Sequence, residues 1–95
     1  MKGAAKDFSE IADFYALKSE SVSANFVTAL GNCLTLLQKN PLIGIAVFWF
    51  CRKIVLKKFP YCVYYKVNEK EQVVEIVAII HHKRGIRTVR KKLKE

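Results

Sequence analysis

The residues best equipped for chemistry sit in two short runs, Arg52-Lys53 and His81-His82-Lys83-Arg84. An imidazole titrates near neutrality, so His81 or His82 can take or give a proton. Guanidinium and ammonium groups grip phosphate oxygens or acidic side chains. Strand alternation turns one of the two histidines toward a core and the other toward solvent. Consecutive histidines on a strand are not a metal-binding spacing, and no metal or other cofactor is expected. Tyr61, Tyr64 and Tyr65 can stack on bases, although tyrosines in a short strand more often pack in a core or at its rim. Cys33, Cys51 and Cys62 are odd in number, lie among apolar neighbours and lack CxxC spacing. They are expected to be buried free thiols of a reducing compartment.

Charge is segregated along the chain. Residues 1–50 carry four cations and four acids, whereas residues 51–95 carry thirteen cations and four acids, the whole of the +9 net charge. Such an excess suggests a polyanionic partner, whether nucleic acid or an acidic protein segment. Lys57 and Lys58 flank a turn and are expected to be solvated with a guiding role. Lys83, Arg87 and Arg90, with Lys91, Lys92 and Lys94, could track a phosphate backbone. The expectation is one cationic surface across a single sheet face, built to grip a negatively charged target.

Size and composition bound the scaffold that must position these groups. Ninety-five residues with 52% apolar content close one core, so a single domain over residues 1–95 is expected, with a basic tail at about 85–95. No apolar signal core follows the first charges, because Asp7, Glu10 and Asp13 interrupt it. The longest apolar run, Leu42 to Phe50, is nine residues, against roughly 20 for a membrane-spanning helix. A cytoplasmic location without membrane contact follows as the expectation.

Phe8, Ile11, Ala12 and Tyr15 recur with helical spacing, predicting a first helix from Asp7, which Asp7 or Ser9 could cap. Val22, Phe26, Ala29, Leu30, Cys33 and Leu37 predict a second, longer helix that Asn40-Pro41 ends. A short link between them predicts an antiparallel hairpin. Beyond Gly44 the chain turns β-branched and aromatic, predicting strands at Val47 to Leu56, Tyr61 to Val67 and Val73 to Ile80. Tyr61, Val63, Tyr65 and Val67 should share one face of their strand, and Cys62, Tyr64 and Lys66 the other. Pro60 should force a bend before it.

This order of elements resembles the RelE/ParE toxin superfamily of type II toxin–antitoxin systems. The resemblance is carried by Asn-Pro-x-x-Gly at Asn40 to Gly44, Arg52-Lys53, FPYCVYYKV at Phe59 to Val67 and AIIHHKR at Ala78 to Arg84. It implies an α+β fold with the helical hairpin packed on a small antiparallel sheet of three to four strands. The family's first strand precedes its first helix, and only Met1 to Ala5 is present for it here, so that strand is expected to be truncated or missing. A cognate antitoxin in a hetero-oligomeric complex is implied as partner.

Two activities are implied by the superfamily: ribosome-dependent mRNA cleavage and inhibition of DNA gyrase. Cleaving RNA through its own 2′-hydroxyl needs a base, an acid and cations for the phosphorane. Under that resemblance His81, His82, Arg84 and Lys53 are the catalytic candidates, while Arg52, Lys57, Lys58, Tyr61, Tyr65, Lys83, Arg87 and Arg90 would hold nucleic acid. The RelE pattern is incomplete, since Val55, Cys62 and Arg90 stand where RelE enzymes carry a lysine, an arginine and a tyrosine. RNA cleavage is the first expectation, gyrase inhibition without enzymatic activity the alternative, and an inactive or non-toxic nucleic-acid-binding remnant the third.

Overall fold

The computed structural model describes residues 2–48, 51–56 and 58–83. Two helices, α1 (Lys2–Lys18) and α2 (Glu20–Lys39), precede four strands, β1 (Ile45–Phe48), β2 (Cys51–Val55), β3 (Tyr61–Asn68) and β4 (Val73–His81). The strands form one antiparallel sheet in the order β1-β2-β3-β4, with the helices packed on it, an α+β fold consistent with the expected one.

Ser19 alone separates the helices. Its extended backbone stops α1, and its hydroxyl accepts the Val22 N–H at 3.3 Å to start α2. The hairpin is antiparallel, since the Ser23 hydroxyl donates to Ala12 O at 2.9 Å while Phe8 stacks near Phe26. Helix α2 buries Phe26, Leu30, Cys33 and Leu37, the spacing that the sequence shows for its apolar face. Asn40 ends it before Pro41.

Strand alternation divides the sheet's side chains between two clusters. Val63, Tyr65, Ile79 and Leu56 join Ile11, Phe26, Leu30, Cys33 and Leu37 in the core under the helices. Cys51, Cys62, Tyr64, Val77, Ala78 and Ile80 form a second buried cluster on the opposite face. Each large aliphatic or aromatic side chain so buried contributes about 1.5–3 kcal/mol. A bulge at Val77, between the pairs Tyr64↔Ala78 and Tyr65↔Ile76, shifts the register in mid-strand.

Two expectations need correction. The single strand expected over Val47 to Leu56 is a tight hairpin, with Ile45 opposite Lys53 and Phe48 opposite Cys51. A continuous apolar run carries no turn signal, so its reversal is invisible to periodicity. The first helix also begins before Asp7, and no strand precedes it among the described residues. Asp7 therefore lies inside α1 and not at its start. Its carboxylate instead accepts the Ile79 N–H of β4 at 3.1 Å.

Candidate functional site

The bend before β3 builds one end of the sheet. Lys58 adopts a positive φ of 69°, the chain turns at Pro60, and Leu56 N–H bonds Tyr61 O at 3.0 Å. Pro60 O then accepts the His82 backbone N–H at 2.9 Å and its Nδ1 at 3.1 Å. A carbonyl only accepts, so His82 Nδ1 donates in this contact. Beside it, His81 Nδ1 accepts the Lys83 N–H at 3.2 Å. The two rings stack at 4.7 Å and 23°. Two imidazoles thus stand side by side, the side chain that general acid–base chemistry uses most often.

Tyr61 faces His81 across the strands, with ring centroids 5.4 Å apart and nearly perpendicular. From Tyr61 an aromatic ladder runs inward through Tyr15, Phe26 and Phe59. Burial, then the charge of Tyr15, then a hydrogen bond with Tyr15 push the Tyr61 hydroxyl above its ordinary value. Tyr61 therefore holds its proton and packs against the core rim, and its ring edges are committed to neighbours.

Arg52 and Tyr65 lie toward the other end, on the helix side of the sheet, and serve the fold. Tyr65 is wholly buried, and its hydroxyl accepts the Gly44 N–H and donates to Pro41 O, both at 2.8 Å. Arg52 Nη1 donates to Gly44 O at 2.8 Å and Leu42 O at 3.3 Å. These four bonds clamp the loop between α2 and β1. A Cβ on Gly44 would stand 2.8 Å from Lys53 O, so only glycine fits there. For Arg52 and Tyr65, both expected to hold nucleic acid, the fold shows a structural use: the Tyr65 ring is fully buried and Arg52 Nη1 donates to two backbone carbonyls.

Lys53 projects from the helix-free face, between its cross-strand neighbours Ile45 and Tyr64. From Lys53 to His81 is two strands across and three residues along, roughly 14 Å at ~4.8 Å per strand and ~3.3 Å per residue. His81 also points to the helix side, against Tyr61. The single cationic sheet face expected from the sequence is thus not formed by these two residues. What the fold does gather is His81, His82, Lys83, Lys58 and Tyr61 at one end. Lys57, Arg84, Arg87 and Arg90 lie outside the described residues.

The cysteines are free and buried. Burial raises the thiol of Cys33, and burial raises that of Cys51 against the lowering effects of Lys66 and a backbone hydrogen bond, so neither is a ready thiolate nucleophile. Burial, then Cys62 and Cys51, likewise raise Tyr64. Among the described residues no group of three metal-binding side chains converges, and no helix is long and apolar enough to cross a membrane. Sequence reasoning missed Asp7 as the acceptor for β4 and the Pro41–Gly44 loop as the ligand of Tyr65. The Asn-Pro-x-x-Gly run was the available signal for the second, and a helical carboxylate gives none for the first.

None of the curated proteins and none of the solved structures matches the chain. A family model does, described as "ParE toxin of type II toxin-antitoxin system, parDE", over residues 1–86, which spans both helices, the whole sheet and the histidine pair. That family implies an antitoxin partner. With two helices packed on a four-stranded antiparallel meander and this match over nearly its full length, the chain belongs to the ParE toxin family, within the RelE/ParE superfamily of type II toxin–antitoxin toxins.

Proposed function

We propose that this toxin acts by binding a protein target, DNA gyrase, in the cytoplasm, and not by cutting RNA. The observation that carries the reading is the separation of Lys53 from His81 on opposite sides of the sheet, with Arg52 Nη1 and the Tyr65 hydroxyl bonded to the α2–β1 loop. A phosphorane needs base, acid and cation within one hydrogen-bonded reach, about 3 Å at each contact, and roughly 14 Å takes Lys53 out of that role. Cys62, which stands where RelE enzymes carry an arginine, is buried in the second cluster and cannot supply a guanidinium. Inhibition by binding needs only a fixed surface and tolerates these gaps. Purified gyrase with the purified chain tests the proposal: supercoiling should fall as toxin approaches stoichiometry. Normal supercoiling beside new mRNA 5′ ends at ribosome-occupied codons would refute it.

Ribosome-dependent mRNA cleavage is the second reading, favoured by the stacked pair His81 and His82 at one end of the sheet. Primer extension on messages from induced cells separates the two. Growth arrest without new 5′ ends removes cleavage, and absence of toxicity on induction removes both.

A further inference from the structure

At the end of the sheet away from the histidines, a cleft of about 770 Å³ opens between the close of α2 and the β3–β4 hairpin. Pro41 and Leu42 form one wall, Val73 and Val74 the other. The carbonyls of Pro41 and Leu42 accept from the Tyr65 hydroxyl and from Arg52 Nη1, which pins the first wall from beneath. Across the cleft, Gln72 holds a left-handed φ of 56°, uncommon for a residue other than glycine, and Asn68 Oδ1 accepts the Glu71 N–H at 3.2 Å. Leu42 is nonetheless 55% exposed and Val73 48%. Covering two such aliphatic side chains is favourable, and walls already pinned need little ordering to be covered.

The polar groups of the cleft narrow the choice of occupant. Glu69 is its one acidic side chain, and Gln38 and Gln72 add two carboxamides. Nearby polar groups are committed, since Glu75 pairs with Lys66 at 3.3 Å and Asn68 bonds its own turn. Glu69, Gln38 and Gln72 have no side-chain partner among the described residues. Charge at this hairpin also runs against the rest of the molecule. Residues 66–75 carry three acids and two lysines in a chain of net charge +9. A cation is therefore the complement at short range.

We propose that this cleft takes an arginine flanked by large apolar residues on a surface turn of a partner protein. The guanidinium is a planar fork of donors that meets the Glu69 carboxylate with two parallel bonds and keeps N–H groups for the Gln38 and Gln72 side-chain carbonyls. Its apolar stem and the flanking side chains cover Leu42 and Val73. A lysine would supply the charge without the fork, and an acidic residue would meet Glu69 with repulsion. A second copy of the chain is opposed by the +9 that both would carry. Such a site goes beyond the gyrase reading and does not depend on it.

Isotope-labelled full-length chain titrated with the peptide acetyl-Gly-Leu-Arg-Leu-Gly-amide tests the proposal by amide chemical shift. The amides of Leu42, Glu69 and Val73 should move while those of Tyr61 and His81 stay still. Citrulline in place of the arginine keeps the shape and removes the charge, and it should weaken binding about fivefold. Glu69→Gln, on an exposed turn, should do the same, and the two changes together should cost no more than either alone because both remove one contact. Leu42→Ser should weaken the arginine and citrulline peptides by a similar factor. Still amides at about millimolar peptide, equal binding of the citrulline peptide, or losses that simply add in the double change would overturn it. So would movement of the same three amides on concentrating the chain alone, which would make the occupant a second copy.

Discussion

Tyr65 shows how a residue that could meet a ligand is retained by the fold. Its hydroxyl satisfies one buried donor at Gly44 and one acceptor at Pro41, and removing it strands both. Tyr65→Phe is expected to cost about 1–3 kcal/mol in urea unfolding, a large share of a total of roughly 5–14 kcal/mol for a chain of this length. Gly44→Ala should cost more, because the backbone of Lys53 cannot yield as a flexible side chain would. A second expectation concerns pH. Cys33 and Cys51 are raised in the folded state, so the unfolded chain releases their protons first as pH climbs. Their contribution is fully present below about pH 9 and is lost above it, joined by Tyr61 and Tyr64 about a unit higher. Urea midpoints at neutral and alkaline pH should show that fall, and it should be shallower in Cys33→Ala; an equal fall would sever the link to this thiol.

At the scale of elements, α2 holds the two layers together. Phe26 is fully buried between Phe8 and Tyr15 of α1 and Phe59 and Tyr61 before and on β3. Phe26→Ala should remove about 3–5 kcal/mol, enough to leave much of the chain unfolded at physiological temperature, as read by circular dichroism. Asp7 links α1 to the edge of β4 through one hydrogen bond. Asp7→Ala should cost about 1–2 kcal/mol and speed exchange at Ile79, while Asp7→Asn, which keeps a carbonyl acceptor, should lose less. Similar losses for both would show that the negative charge, and not the acceptor, does the stabilising.

For the whole molecule, the separation of Lys53 from the imidazoles predicts how activity responds to substitution. His81→Gln combined with His82→Gln should leave gyrase inhibition and growth arrest within about twofold, because binding needs no proton transfer. Loss of toxicity of about a hundredfold or more would instead assign the pair to general acid–base catalysis of RNA cleavage. The +9 charge should make target association faster at low ionic strength, with the on-rate falling as salt rises. A salt-independent rate would remove steering from the account.

Much of this molecule was legible in its residues. Apolar spacing located α2, alternation sorted Tyr61, Val63, Tyr65 and Val67 from Cys62 and Tyr64, and odd cysteines among apolar neighbours announced free thiols. These are local properties, set by periods of 3.6 and 2 along one segment. The hairpin between β1 and β2 left no such mark, since both strands fall in one apolar run. Nor could local pattern decide that Asp7 meets Ile79, 72 residues away, or that Lys53 and His81 leave opposite faces of the sheet. Which side chains share a site depends on strand register and on which face the helices cover, and only tertiary packing fixes both.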